Sequence, residues 1–333
     1  MDDRGIVCVM LNFLRLIRFP NLVIVALTMY CILLGVGEPV LQYYGYSILT
    51  SNIQFIFLVM AFVFLAAAGY VINDYFDRKA DLINRPDTVV IGVKIKRRWA
   101  IVIHSIFNAI GIALGFAVAF SIGKWWVGFM FVGFSLLLWW YSSSLKKVPL
   151  AGNLMVAILA GIVPLVISAF MYYGSIHVSG AYIPAMGFAL KQVFNLSVGF
   201  AVFAFLFTLI REIVKDLEDI KGDNEMYCRT LPIAIGVRMT KQLVALLCFI
   251  AFTLTLFAYF AFVRNLGFMT GDYMSLWYIP ALVSLPVLFC GIRVLFASNK
   301  SEFAMLSKLL KYNMVTGILY AIILRMVITS NIL

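Results

Sequence analysis

The sequence predicts an all-α polytopic membrane protein of nine transmembrane helices, and three observations predict it. Hydrophobic residues make up 64% of the 333 and charged residues only 12%, against roughly 45–50% and about 25% in soluble domains. Mean hydropathy is +1.02. The apolar stretches are long and unbroken rather than alternating over about ten residues, so of the two architectures that satisfy a backbone in lipid the helix is favoured over the closed barrel. These figures exclude a soluble globule, a disordered chain and a disulfide scaffold.

About 20 apolar residues cross a bilayer. On that ruler the spans fall near residues 20–36, 53–72, 100–121, 125–141, 150–172, 194–211, 243–263, 277–296 and 305–328. The first 19 residues lack the cleavage site of a secretory signal. Ile6–Phe19 is apolar, with Arg15 and Arg18 near its end, so 1–19 reads as an interfacial amphipathic segment before Pro20 opens the first span. The whole chain, 1–333, reads as a single domain.

The net charge of +11 points to topology and anionic membrane lipid rather than to nucleic acid. All but four of the 26 lysines and arginines fall on one side of a nine-span chain, the exceptions being Lys124, Lys191, Arg264 and Arg325. The positive-inside rule then puts the N-terminus in the cytoplasm, together with two charged loops at 73–99 and 211–242. The five cysteines are scattered without metal spacing, and no structural disulfide is expected. His104 and His177 are isolated and read as helix-end or loop residues.

The acids carry the chemistry. The first group is Asn73-Asp74-Tyr75-Phe76-Asp77-Arg78-Lys79-Ala80-Asp81, at the end of the second span. In a helix Asn73, Asp77 and Asp81 share one face. The second group, Lys215-Asp216-Leu217-Glu218-Asp219-Ile220-Lys221-Gly222-Asp223, ends the sixth span and repeats that spacing at Asp219 and Asp223. Like charges so spaced repel unless a cation sits among them. Hard oxygen ligands suit Mg²⁺, which takes one or two carboxylates and completes its shell with water and substrate phosphate. Arg85, Lys146, Lys147 and Lys215 supply positive charge for that phosphate. A diphosphate ester with a hydrocarbon tail meets both demands: metal neutralisation makes diphosphate a leaving group, and aromatic faces stabilise the allylic cation left behind. Tyr70, Tyr75, Phe76, Trp139, Trp140 and Tyr141 lie near the same span ends.

At these residues the chain resembles the UbiA superfamily of intramembrane prenyltransferases, through Asn73-Asp74-x-x-Asp77-x-x-x-Asp81 and Arg211-Glu212-x-x-Lys215-Asp216-x-x-Asp219-x-x-x-Asp223. The resemblance implies a bundle of nine helices around a central cavity, with Mg²⁺ joining both motifs through a prenyl diphosphate. It implies Asn73, Asp77, Asp81, Asp219 and Asp223 as metal ligands, and Arg85 and Lys215 as diphosphate contacts, beside which the charge of Lys146 makes it a further candidate. Tyr141 and Ser142 resemble the active-site loop after the fourth span, and Arg18 or Asn21 would contribute from the first. Lys146-Lys147-Val148-Pro149-Leu150-Ala151-Gly152-Asn153 and the second acidic motif look most like the digeranylgeranylglyceryl phosphate synthase branch, implying a prenylglycerol phosphate acceptor. After Asn84-Arg85-Pro86-Asp87, the Arg-Pro and Ser-Gly that family members often carry are replaced by Thr88-Val89-Val90-Ile91-Gly92-Val93.

The expected reaction is Mg²⁺-dependent transfer of a prenyl group to a lipophilic acceptor with release of pyrophosphate, Asp74 or Asp216 taking the acceptor's proton. An aromatic quinone precursor or a heme is the alternative acceptor. A transporter is the alternative class, but transporters place ionisable residues near the bilayer midplane, whereas here they gather at span ends. The expected setting is the cell membrane, with the site facing the cytoplasm. Oligomeric state and tail length are open at this stage.

Overall fold

The computed structural model describes residues 3–180 and 183–332, with the side chains of 3–9 left aside, so those of Arg4 and Cys8 lie outside the described residues. Among the described residues nine helices are long and apolar enough to cross a membrane. They are α1 (Phe19–Tyr43), α2 (Asn52–Asn84), α3 (Arg97–Ser121), α4 (Trp125–Ser143), α5 (Ala151–Ser179), α6 (Pro184–Glu225), α7 (Val237–Asn265), α8 (Met274–Phe296) and α9 (Lys300–Ser330). A further helix, Asp3–Leu16, precedes them, and a short one, Leu231–Ile235, stands between α6 and α7.

Each expected span lies within one of these helices, or nearly so, and the helices overrun them. The largest surplus is in α2 and α6, with 33 and 42 residues. At about 1.5 Å per residue these are roughly 50 and 63 Å long, well beyond a hydrocarbon core of about 30 Å. The surplus carries the acidic motifs. This corrects the expected loops: 73–84 and 211–225 are helical, because their carboxylates follow helical spacing and no proline interrupts them. Helix α2 stops at Asn84 because Pro86 disfavours helical backbone in the residue before it. Helix α6 ends just before Tyr227, whose φ of 54° is the left-handed conformation typical of a helix C-terminus.

The chain forms two compact units. One comprises the described residues of Met1–Ala26, Asn52–Gly152 and Lys221–Arg229. Its core gathers Leu16, Ile17 and Leu22 with Ala67 and Val71 of α2, Ala100 of α3, and Val90 and Ile91 of the loop between them. The departure at Thr88–Val93 therefore has a structural use: Val89, Val90 and Ile91 are buried, and the Ile91 carbonyl accepts from Arg78 Nε (3.2 Å). On the N-terminal helix Met10 and Leu11 are exposed while Leu16 is fully buried, the two-sided pattern expected of an interfacial segment. Gly111 and Gly115 serve packing within the chain. A Cβ on Gly111 would lie 2.9 Å from Leu65 Cγ and 3.1 Å from the Ala61 carbonyl oxygen, and Gly115 lies against the Phe131 ring. His104 is not at a helix end. It is buried in the body of α3, where its Nδ1 donates to the Ala68 carbonyl (3.0 Å), a bond between helices that spacing alone does not reveal.

The other unit comprises Leu27–Ser51, Asn153–Ile220 and the described residues of Thr230–Leu333. Two of its helices widen to a five-residue hydrogen-bond step, α1 at Leu33–Gly37 and α8 at Ile279–Ser284. Pro280 within the second of these segments, and Pro39 and Pro286 two residues beyond their ends, lack the N–H an α-helix needs. The carbonyls affected find donors on α9: Arg325 Nη1 reaches the Leu34 carbonyl (2.5 Å), Thr316 Oγ1 the Leu282 carbonyl (2.9 Å) and Asn313 Nδ2 the Val283 carbonyl (3.1 Å). Helix α9 begins with a reciprocal cap between Asn299 and Glu302.

Candidate active site

The first acidic motif lies on the last three turns of α2, in the first unit. Asn73 Nδ2 donates to Asp77 Oδ2 (2.8 Å), and Lys146 Nζ forms an ion pair with Asp77 Oδ1. Asp77 is thus bracketed by an amide one turn earlier and by an ammonium from the segment after α4. Asn73 Oδ1 is buried and accepts no hydrogen bond, so a hard oxygen ligand is left uncommitted beside a carboxylate. Asp81 continues the same face one turn on.

Asp74 faces another partner. Arg18 Nη2 donates to its Oδ1 at 2.7 Å, with the guanidinium 5.2 Å from the Tyr70 ring centroid. Arg18 has a φ of 49°, a conformation uncommon for a non-glycine residue, and this turn joins the N-terminal helix to α1. Burial works against the charge on Arg18, but Asp74 and Tyr70 outweigh it and hold the guanidinium pKa above its ordinary value. Asn21 sits in the first turn of α1, and its backbone N–H donates to the Arg18 carbonyl (2.7 Å). Tyr75 carries Arg97 over its ring at 4.5 Å. One face each of Tyr70 and Tyr75, both expected near the cation, is thus taken by an arginine.

The end of α6 meets the end of α2 within this unit. The Gly222 N–H donates to Asn84 Oδ1 (3.0 Å), and the Arg229 N–H to the Lys147 carbonyl (3.0 Å). Between these links lies Cys228. Its thiol pKa is pushed up by burial first, then by Asp223, with Lys147 and Lys146 opposing and Asp77 adding. The fields of Asp77, from the first motif, and Asp223, from the second, therefore act on one point. Asn84 and Cys228 were not singled out by the sequence reading. The signal available was Gly222, a glycine inside a long helix, which marks a close approach.

The remaining α6 candidates belong to the second unit. Asp219 lies one turn before Asp223. Asp216 Oδ2 accepts from Asn153 Nδ2 (2.9 Å), and Lys215 Nζ donates to Glu212 Oε2 (2.8 Å). Ser142 is 1% exposed, and its hydroxyl donates to the Leu138 carbonyl (2.9 Å) at the end of α4. Tyr141 is half-buried near Gly152, and Arg85 follows the last residue of α2, its N–H on the Asp81 carbonyl (2.7 Å).

Among the described residues no three carboxylate, histidine or cysteine side chains come together to hold a metal ion. The donor set still fits Mg²⁺ of the kind that takes few carboxylates and relies on water and phosphate oxygens: Asn73 Oδ1 is uncommitted, Asp77 adjoins it, and Asp81 adds a hard oxygen donor one turn on.

Residues 39–315 match the UbiA prenyltransferase family. A protein from Methanosarcina mazei named digeranylgeranylglyceryl phosphate synthase is 31% identical over 310 residues, 90% of this chain and 93% of that one. One of the same name from Methanothermobacter thermautotrophicus is 30% identical over 272 residues, 80% of this chain and 84% of its own. The apo structure of a UbiA homolog from Aeropyrum pernix shares the fold, with a TM-score of 0.58 at 18% identity over 93% of this chain and 98% of that one. With the family matched over most of its length and nine apolar helices in place, the chain is an integral membrane enzyme and belongs to the UbiA prenyltransferase family.

Proposed function

We propose that this prenyltransferase, a single functional domain over 1–333, moves a prenyl group from an allylic diphosphate to a prenylglycerol phosphate, forming an ether and releasing pyrophosphate. The observation that carries the site is the grouping of Asn73, Asp77 and Lys146 near the end of α2, which is tied to the last turn of α6 and Asp223. The similarity to digeranylgeranylglyceryl phosphate synthases supports the acceptor.

Asn73, Asp77, Asp81, Asp219 and Asp223 are the proposed Mg²⁺ ligands. When bound, Mg²⁺ neutralises the diphosphate and makes it a competent leaving group. Arg85, Lys146 and Lys215 counter the charge that grows on the departing oxygens. Lys146 also holds Asp77 in place. Tyr141 lines the segment that carries Lys146. Of the two carboxylates considered for the acceptor's proton, Asp74 is already ion-paired with the half-buried Arg18. Its part is then to fix Arg18 and the start of α1. Asp216, which accepts from the Asn153 amide, is the carboxylate assigned to the acceptor's proton. The proposed orientation puts this end of α2 and α6 in the cytoplasm, in the cell membrane.

The test is pyrophosphate release from a radiolabelled prenyl diphosphate, with prenylglycerol phosphate and an aromatic quinone precursor offered in parallel and products weighed by mass spectrometry. Turnover should need Mg²⁺, stop with EDTA, return on adding Mg²⁺, and give the ether. Turnover undiminished in EDTA would overturn the metal reading, and a prenylated ring alone would overturn the acceptor.

A further inference from the structure

Helix α6 carries two buried polar groups that the reaction above does not use. Thr208 is 6% exposed and its Oγ1 has no hydrogen-bond partner among the described residues, not even the carbonyl one turn back. Arg211, three residues on, spends Nη1 on Glu212 Oε1 (3.0 Å), while its Nε is buried and unpartnered. Glu212 is itself shared with Lys215, so Arg211, Glu212 and Lys215 leave one net positive charge. The surroundings are apolar: Phe207, Ile210 and Ile213 are fully buried. Burying a hydroxyl and a guanidinium N–H without acceptors is costly, and a guanidinium fork with donors to spare matches a phosphate.

We propose that Thr208 and Arg211 anchor the phosphate of the acceptor, a phosphomonoester on a lipophilic glycerol ether. This rests on the acceptor reading above and deepens it. Thr208 and Asp219 share one face of α6 at helical spacing, with Arg211 about 60° to one side of Thr208 and Asp216 about 80° to the other. From Arg211 to Asp219 the helix rises about 12 Å, too far for one phosphate to engage both. The acceptor's phosphate is placed at Arg211 and the diphosphate at Asp219 and Asp223, with Lys215, which shares Glu212 with Arg211, standing between the two anions. Asp216, the proposed proton acceptor, lies between them along the helix axis. A glycerol phosphate has the matching order: phosphate at one end and, a few bonds away, the free hydroxyl that attacks the prenyl carbon. That attack forms the C–O ether bond, breaks the bond to diphosphate and gives the hydroxyl proton to Asp216. Selection of a phosphorylated glycerol ether over its dephosphorylated form would originate at Thr208 and Arg211.

The experiment compares prenylglycerol phosphate with the same prenylglycerol lacking phosphate, in the purified wild type and in Arg211→Gln, Arg211→Lys and Thr208→Val. Arg211→Gln should raise KM for the phosphorylated acceptor at least tenfold while leaving KM for the prenyl diphosphate and turnover of the dephosphorylated acceptor unchanged. Arg211→Lys should fall between, keeping the charge but losing the fork. Thr208→Val, nearly isosteric, should shift the same KM in the same direction, and it carries the test if Arg211→Gln does not fold. Equal losses with both acceptors, or a raised KM for the prenyl diphosphate, would overturn the proposal. A wild type active on prenylglycerol phosphate with unaltered discrimination in the variants overturns this inference alone. A wild type that prenylates only an aromatic acceptor overturns the acceptor reading, and this proposal with it.

Discussion

Asp77 is held from two sides, by the Asn73 amide and the Lys146 ammonium, and that makes it the most informative single residue. Removing its carboxylate takes away a proposed metal ligand and leaves Lys146 without its counter-charge. Asp77→Ala should lower pyrophosphate release on the order of a hundredfold or more, since losing even a supporting partner of a metal site costs about 10–100-fold. Asp219→Ala should do the same, with both variants still extracting and eluting as the wild type does. Wild-type turnover in either would remove that residue from the metal set. At this scale the sequence was legible where spacing encodes chemistry. The i, i+4 series in α2 and α6 could be read directly because a helix repeats on that period. It was not legible where the outcome depends on which partner a side chain finds. Ser142 turns back to its own helix and Asp74 is claimed by Arg18, and neither choice leaves a trace in residue order.

The widened turns of α1 and α8 are where an element depends on its neighbour. In lipid no water completes the carbonyls that these turns release, so α9 must supply donors. Asn313 is 3% exposed and gives its amide to the Val283 carbonyl. Asn313→Leu should therefore cost about 1–3 kcal/mol, the penalty of leaving a buried acceptor unsatisfied, seen as a lower unfolding temperature in detergent. No change would mean that the Val283 carbonyl is satisfied without α9. Gly222 makes a sharper case because structure and site meet there. A Cβ would stand 2.7 Å from Asn84 Cγ and 2.9 Å from the Ala80 carbonyl oxygen, so one of the two helix ends must move. Gly222→Ala should cost about 1–3 kcal/mol from overpacking and lower kcat together with stability, whereas the milder Asn84→Ala should lower kcat without the clash. Unchanged activity in Gly222→Ala would detach the end of α6 from the site. The spans themselves were legible from apolar length, but their ends were not. Hydropathy stops at the first charge, while the α2 backbone continues to the next proline, so helix surplus was read as loop.

Orientation in the membrane is a property of the whole chain, and parity decides it. Between Asp87 and Thr270 the chain passes through α3 to α7, an odd number of crossings, so the two residues must face opposite sides if all nine helices span. The distribution of lysine and arginine assigns Asp87 to the cytoplasm. Both residues are exposed. In a background with Cys8 and Cys228 replaced by serine, the other cysteines being buried, Asp87→Cys should react with a membrane-impermeant maleimide only in inside-out vesicles. Thr270→Cys should react only in right-side-out ones. Labelling of both from one side would mean that a helix among α3 to α7 fails to cross. Opposite sides in the reversed sense would keep the nine crossings but turn the Asp77 and Asp223 end of the enzyme away from the cytoplasm. That would move its diphosphate substrate to the other compartment, because a charged head group does not cross the bilayer to reach a site on the far face. The labelling pattern therefore tests the fold and the supply of substrate in one measurement.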